Sequence, residues 1–142
     1  MVQSDPEEGS FHPVVRYNAM LILGDLNSKE AVLGGGAPKA PPVLYADALP
    51  LMVREFTKDD QIDAVRVAAM IGILRHVEID RYLTAGAGVP AALKSDILKA
   101  MLAMMEAEKP PVGRSLAGHL WMQRRAMDLL GALGELGPDG SV

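Results

Sequence analysis

Val65-Arg66-Val67-Ala68-Ala69-Met70-Ile71-Gly72-Ile73-Leu74 is the stretch on which the fold turns. From Val67 to Leu74 every position is apolar, and a helix that is apolar all round must be covered all round. The run lies in the third of five segments with helical periodicity, at residues 13–26, 43–56, 61–82, 91–108 and 119–136. A layered array of helices buries its central member most, so pattern and chain order agree.

The same pattern recurs outward from this centre. Arg16-Tyr17-Asn18-Ala19-Met20 lies in the first segment and Gln123-Arg124-Arg125-Ala126-Met127 in the fifth. Ala19 and Ala69 are 50 residues apart, and Ala69 and Ala126 are 57 apart. His12 and His119 stand seven positions before Ala19 and Ala126, where the middle copy has Ile62. A small residue at one fixed depth lets neighbouring helices approach closely, and a unit that cannot bury its own face alone must stack. Ala19, Ala69 and Ala126 are therefore expected to be buried at matching places.

These residues resemble the HEAT repeat family. The middle unit carries the resemblance best, with Ala48-Leu49-Pro50-Leu51-Met52-Val53, then Asp60, then Val65-Arg66 with Ala69 three residues past the arginine. The resemblance implies an all-α fold, an α-α superhelix of about two and a half HEAT-like helical hairpins, in which Asp60 and Arg66 tie turns together between repeats. Asp60 is expected to cap the third segment or to pair with Arg66. Ser10 and Ala117 occupy the turn-Asp positions of the outer copies and Gln123 that of the third arginine, so the ladder is interrupted.

Residues 1–11 read as a polar linker, 12–137 as the repeat domain and 138–142 as a tail. The Gly/Pro-rich stretches 27–42, 84–90 and 109–118 read as loops, because glycine and proline break helix and strand alike. The chain as a whole is expected to be almost strand-free. Apolar residues make up 49% of the chain and aromatics 4%, which suits helix-on-helix packing of Leu, Ile, Val, Ala and Met. There is no cysteine, which removes disulfides, thiolate metal sites and a Cys nucleophile. The formal charge of -4 argues against nucleic acid as the partner, and no stretch approaches the length of a membrane span.

No motif gathers catalytic, cofactor-binding or metal-ligating residues. His12 and His119 read as helix-start residues, and His76, near a helix end, as a group whose positive charge suits the dipole. Trp121 has Arg124 at i+3, Arg125 at i+4 and Asp128 at i+7, which places the single tryptophan on a polar stripe. Trp121, Arg124, Arg125 and Asp128 are the candidate partner-binding set, packing of Trp121 on the 109–118 loop being the alternative. Met101, Met104 and Met105 read as core. The expected function is a protein–protein interaction or scaffold module, part of a larger protein. Alternatives by resemblance are a nucleic-acid-binding solenoid of the HEAT-like DNA glycosylase type and an enzyme accessory such as a HEAT-like bilin lyase subunit.

The helix count adds a last expectation. The first, third and fifth segments carry the recurring pattern and would be the second helices of hairpins, with the second and fourth segments as first helices. The first segment therefore lacks a neighbour, as it would in an array cut from a longer one. Val14, Val15, Ala19, Met20, Leu21, Ile22, Leu23 and Leu26 are too many apolar residues for one narrow stripe. Self-association through this segment is expected. The fifth segment, with Arg124, Arg125, Asp128 and Glu135, is expected to be the better capped end.

Overall fold

The computed structural model describes residues 11–83 and 88–134, apart from the side chains of 37–39. Five helices carry the fold: α1 (Pro13–Asp25), α2 (Ala48–Thr57), α3 (Asp63–Asp80), α4 (Ala91–Glu106) and α5 (Leu116–Leu133). Four short strands lie between α1 and α2: β1 (Asn27–Lys29), β2 (Val32–Gly34), β3 (Ala37–Ala40) and β4 (Val43–Leu44). The chain is predominantly helical, as expected, but the stretch 27–42 is not a bare loop.

Local chemistry explains the boundaries. Pro13 opens α1, where its missing N–H has no intrahelical partner, and His12 Nδ1 accepts from the Val14 N–H at 3.2 Å. Pro50 falls in the first turn of α2, so the helix starts late, at Ala48, instead of kinking. Ser115 Oγ caps α5 through the Gly118 N–H at 3.0 Å, and Gly134, at φ 67°, ends it in the left-handed region. The strands have a clear cause as well. Gly35 and Gly36, at φ 62° and 85°, form a two-residue turn that pairs β2 with β3. β4 then returns antiparallel to β1, which takes Val43 and Leu44 out of the second helix.

α3 is the central helix and packs against α1, α2 and α5, while α4 packs on α5 and α2. α1, α3 and α5 run in one direction, as the polar ties at both ends show. At their N-terminal ends, Arg16 of α1 donates to Gln61 Oε1, and Arg114, just before α5, donates to both Asp63 oxygens at 2.7 and 2.8 Å. At their C-terminal ends, Arg75 donates to the Gly24 carbonyl and Asn27 Oδ1, and Arg81 to the Gly131 and Ala132 carbonyls. Arg75 of α3 and Arg81 at its C-cap thus satisfy last-turn carbonyls of both neighbours, where positive charge also suits the helix dipole.

Glycine sets the closest approach. A Cβ on Gly24 would lie 2.8 Å from Gly72 Cα, and one on Gly72 would run into Met52 Sδ as well as Gly24 Cα. α1 and α3 therefore cross backbone to backbone at these two residues. The core around that crossing is aliphatic and methionine-rich, with Met52, Met70, Ile73, Ile97, Met101, Met122 and Leu129 almost fully buried. Met104 and Met105 are half-buried against it.

Two expectations about repeat positions are corrected. Ala69 and Ala126 are buried, but Ala19 is exposed, because none of the described helices packs on that side of α1. Asp60 neither caps α3 nor meets Arg66; its side chain is 77% exposed beside Lys58 Nζ at 3.4 Å. The turn is held instead by Arg66, which donates to the Lys58 and Asp59 carbonyls and to Asp63 Oδ1. Gln61 reinforces it by donating to Glu55 and accepting from Arg16.

Candidate interaction surfaces

The two outermost helices of the α1–α3–α5 row expose faces whose counterparts, aligned on Ala19, Ala69 and Ala126, are buried in the other helices. Val15, Ala19 and Ile22 of α1, with Leu26 at its C-cap, align with Val65, Ala69, Gly72 and His76 of α3 and with Met122, Ala126, Leu129 and Leu133 of α5. In α3 all four are buried; in α5 three are buried and Leu133 is half-buried. In α1 all four are exposed, Ile22 at 63%. Phe11 and Val14 extend the stripe toward the N-terminus. Spacings of three and four residues place these side chains on one face.

The converse holds at α5. Met20 and Gly24 of α1, buried beneath α3, correspond to Met127 and Gly131 of α5, and both of these are exposed. A Cβ on Gly131 would meet nothing within 4 Å. Leu116 and Leu120 are exposed beside them. The expectation of a polar cap on this helix is corrected in that respect: its outer face carries Leu116, Leu120 and Met127 as well as charge. Glu135 lies outside the described residues.

The predicted set around the tryptophan assembles in part. Trp121 is 37% exposed, and the Arg125 guanidinium lies over its ring, 5.2 Å from the centroid. Arg125 also reaches Asp128 Oδ2 at 3.1 Å, and Arg124 is exposed one position before it. A cation over an indole face makes an amphipathic surface feature of the kind that anchors interfaces.

Sequence reasoning missed the polar cluster buried between α3 and α5. The Arg114 side chain is 6% exposed, bidentate to Asp63 and within 3.4 Å of His119 Nδ1. His119 Nε2 lies 2.7 Å from the Ala107 carbonyl, so that nitrogen carries the proton and Nδ1 is left to accept from Arg114. The Arg114 hydrogen bonds outweigh burial and, with Arg66, hold the Asp63 carboxyl below the usual range. Every group in the cluster is paired, so it ties helices and offers no free acid or base. No local signal marked it, because Asp63 and Arg114 meet only when the helices stack.

His76 also departs from expectation. It is 4% exposed, and burial, followed by the charge of Arg75, pushes its pKa down to about 4. The imidazole is neutral at physiological pH and is not a positive group at a helix end. His12, His76 and His119 do not converge: His12 caps α1, His119 binds the Ala107 carbonyl, and His76 lies in α3. Among the described residues no helix is long and apolar enough to cross a membrane. In comparisons with known proteins, no family model, no curated protein and no solved structure matches this chain.

Proposed function

We propose that this protein is a HEAT-like helical-repeat module that binds other proteins through the end faces of its α1–α3–α5 row and, when alone, a second copy of itself. The observation that carries the proposal is the register of exposure. The faces of α1 and α5 that stand open are the counterparts of faces that a neighbouring helix covers inside the molecule. A helix is therefore the occupant that fits them, and this chain supplies one at each end. The α1 stripe of Val15, Ala19 and Ile22 seats on the Met127 and Gly131 face of another copy as α3, through Gly72, seats on Gly24 of α1. Contiguous exposed apolar side chains in such an arrangement mark an interaction surface. Arg125 on Trp121 adds a specific anchor at the rim of the α5 face.

Such a contact is head-to-tail and leaves one open face at each end of a dimer, so further copies can add. Light scattering over a concentration series tests this. The expected result is a mass above the monomer that rises with concentration, and a monomer for Ile22→Glu with an unchanged circular dichroism spectrum. A wild-type chain that stays monomeric throughout the series contradicts self-association.

A further inference from the structure

A cavity of about 300 Å³ opens where β4, α2, the C-terminal half of α3 and the start of α4 meet. Leu44, Leu49, Leu83, Val89 and Leu93 belong to its apolar lining, and His76 and Asp80 are its ionisable members. Asp80 is fully engaged: its carboxylate accepts from the Val89 N–H at 2.6 Å and pairs with Lys94 Nζ at 2.7 Å. His76 differs: its Nε2 is buried and has no hydrogen-bond partner among the described residues. The neighbouring Arg75 is turned away, toward the Gly24 carbonyl and Asn27.

A buried polar atom without a partner is costly and uncommon in folded proteins. An apolar pocket with one polar group left unspent is the usual composition of a small-molecule site. We propose that this cavity binds a small, uncharged, apolar molecule carrying one hydroxyl group, which hydrogen-bonds the His76 imidazole. The chemistry selects that class. A neutral imidazole has one donor and one acceptor nitrogen, and a hydroxyl serves either, whichever tautomer is present. A charged ligand would give up its hydration and find no free counter-charge, because Asp80 and Lys94 already neutralise each other. Size narrows it further, since a cavity of roughly 150 Å³ takes benzene. This one has room for a fused bicyclic ring.

The test uses the whole chain, with 2-naphthol as probe and naphthalene as its hydroxyl-free counterpart. Imidazole ¹⁵N resonances of the wild-type protein are followed during each titration. The expected result is saturable 2-naphthol binding that shifts the His76 nitrogens, about tenfold tighter than naphthalene, the value of one net hydrogen bond. His76→Leu should bring the two affinities together, and Leu93→Trp, which fills the cavity, should abolish both. Absence of saturable binding overturns the proposal. So do equal affinities with unmoved His76 resonances, or undiminished binding to a folded Leu93→Trp chain. The wild-type titration decides even if a variant does not fold.

Discussion

Gly72 and Gly131 are both helical glycines, and the structure assigns them opposite sensitivities. At Gly72 a methyl group meets Met52 Sδ and the backbone of Gly24, so both helices must part. Gly72→Ala should cost on the order of 1–3 kcal/mol, as overpacking does. Gly131 faces open space, and Gly131→Ala should add up to about 1 kcal/mol through helix propensity alone. Urea denaturation midpoints that move in the same direction for the two variants would contradict the crossing of α1 and α3. His76 gives the residue scale a pH signature. Its pKa is depressed from 6.5 to about 4, so the unfolded chain binds the extra proton between those values. Stability should be full above pH 6.5 and fall on the order of 2 kcal/mol as pH drops to about 4. Below that, protonation of Asp63 and Asp80, whose pKa values are held below 3.8, should remove more. At Asp80 burial pushes upward, but Lys94 and the Val89 N–H outweigh it. Melting curves in which His76→Leu leaves the pH 4–6.5 slope unchanged would remove this account.

At the scale of elements, the helices were legible in the sequence and their ties were not. The apolar run 67–74 announced the central helix, and α3 is indeed the helix that touches α1, α2 and α5. Periodicity is local, so it fixes which face of a helix is apolar. It does not say which arginine will reach across 51 residues to Asp63 or to the Ala132 carbonyl. The strands of 27–44 were missed for a different reason. Gly35-Gly36 between short runs is hairpin chemistry, but Pro38, Pro41 and Pro42 give the stretch a loop-like composition, since proline is confined to strand edges and ends. Asp60 was singled out by its place in a motif, and the structure transfers the load to Asp63. Asp63→Ala leaves Arg114 buried without its carboxylate and should cost about 2 kcal/mol or more. Asp60→Ala, at an exposed side chain, should stay within about 0.5 kcal/mol. The reverse order of denaturation midpoints would restore Asp60 as the residue that secures the turn.

At the scale of the whole molecule, the candidate surfaces were half legible. The excess of apolar residues in the first segment pointed to an unfilled face on α1, and Trp121 with its arginines pointed to α5. That α5 also exposes Leu116, Leu120 and Met127 could not be read from its own stripe, because the repeat register becomes informative only once burial is known. If the proposed self-association holds, a stacked contact should bring α1 of one copy onto α5 of the next. The chain has no cysteine, so single cysteines report on this contact without background. The deciding measurement is oxidative cross-linking of Ala19→Cys and Met127→Cys chains, each alone and mixed. Head-to-tail stacking predicts a disulfide dimer chiefly in the mixture, joining one variant to the other. Absence of any covalent dimer, or dimers of the Ala19→Cys chain with itself at the same yield, would contradict it.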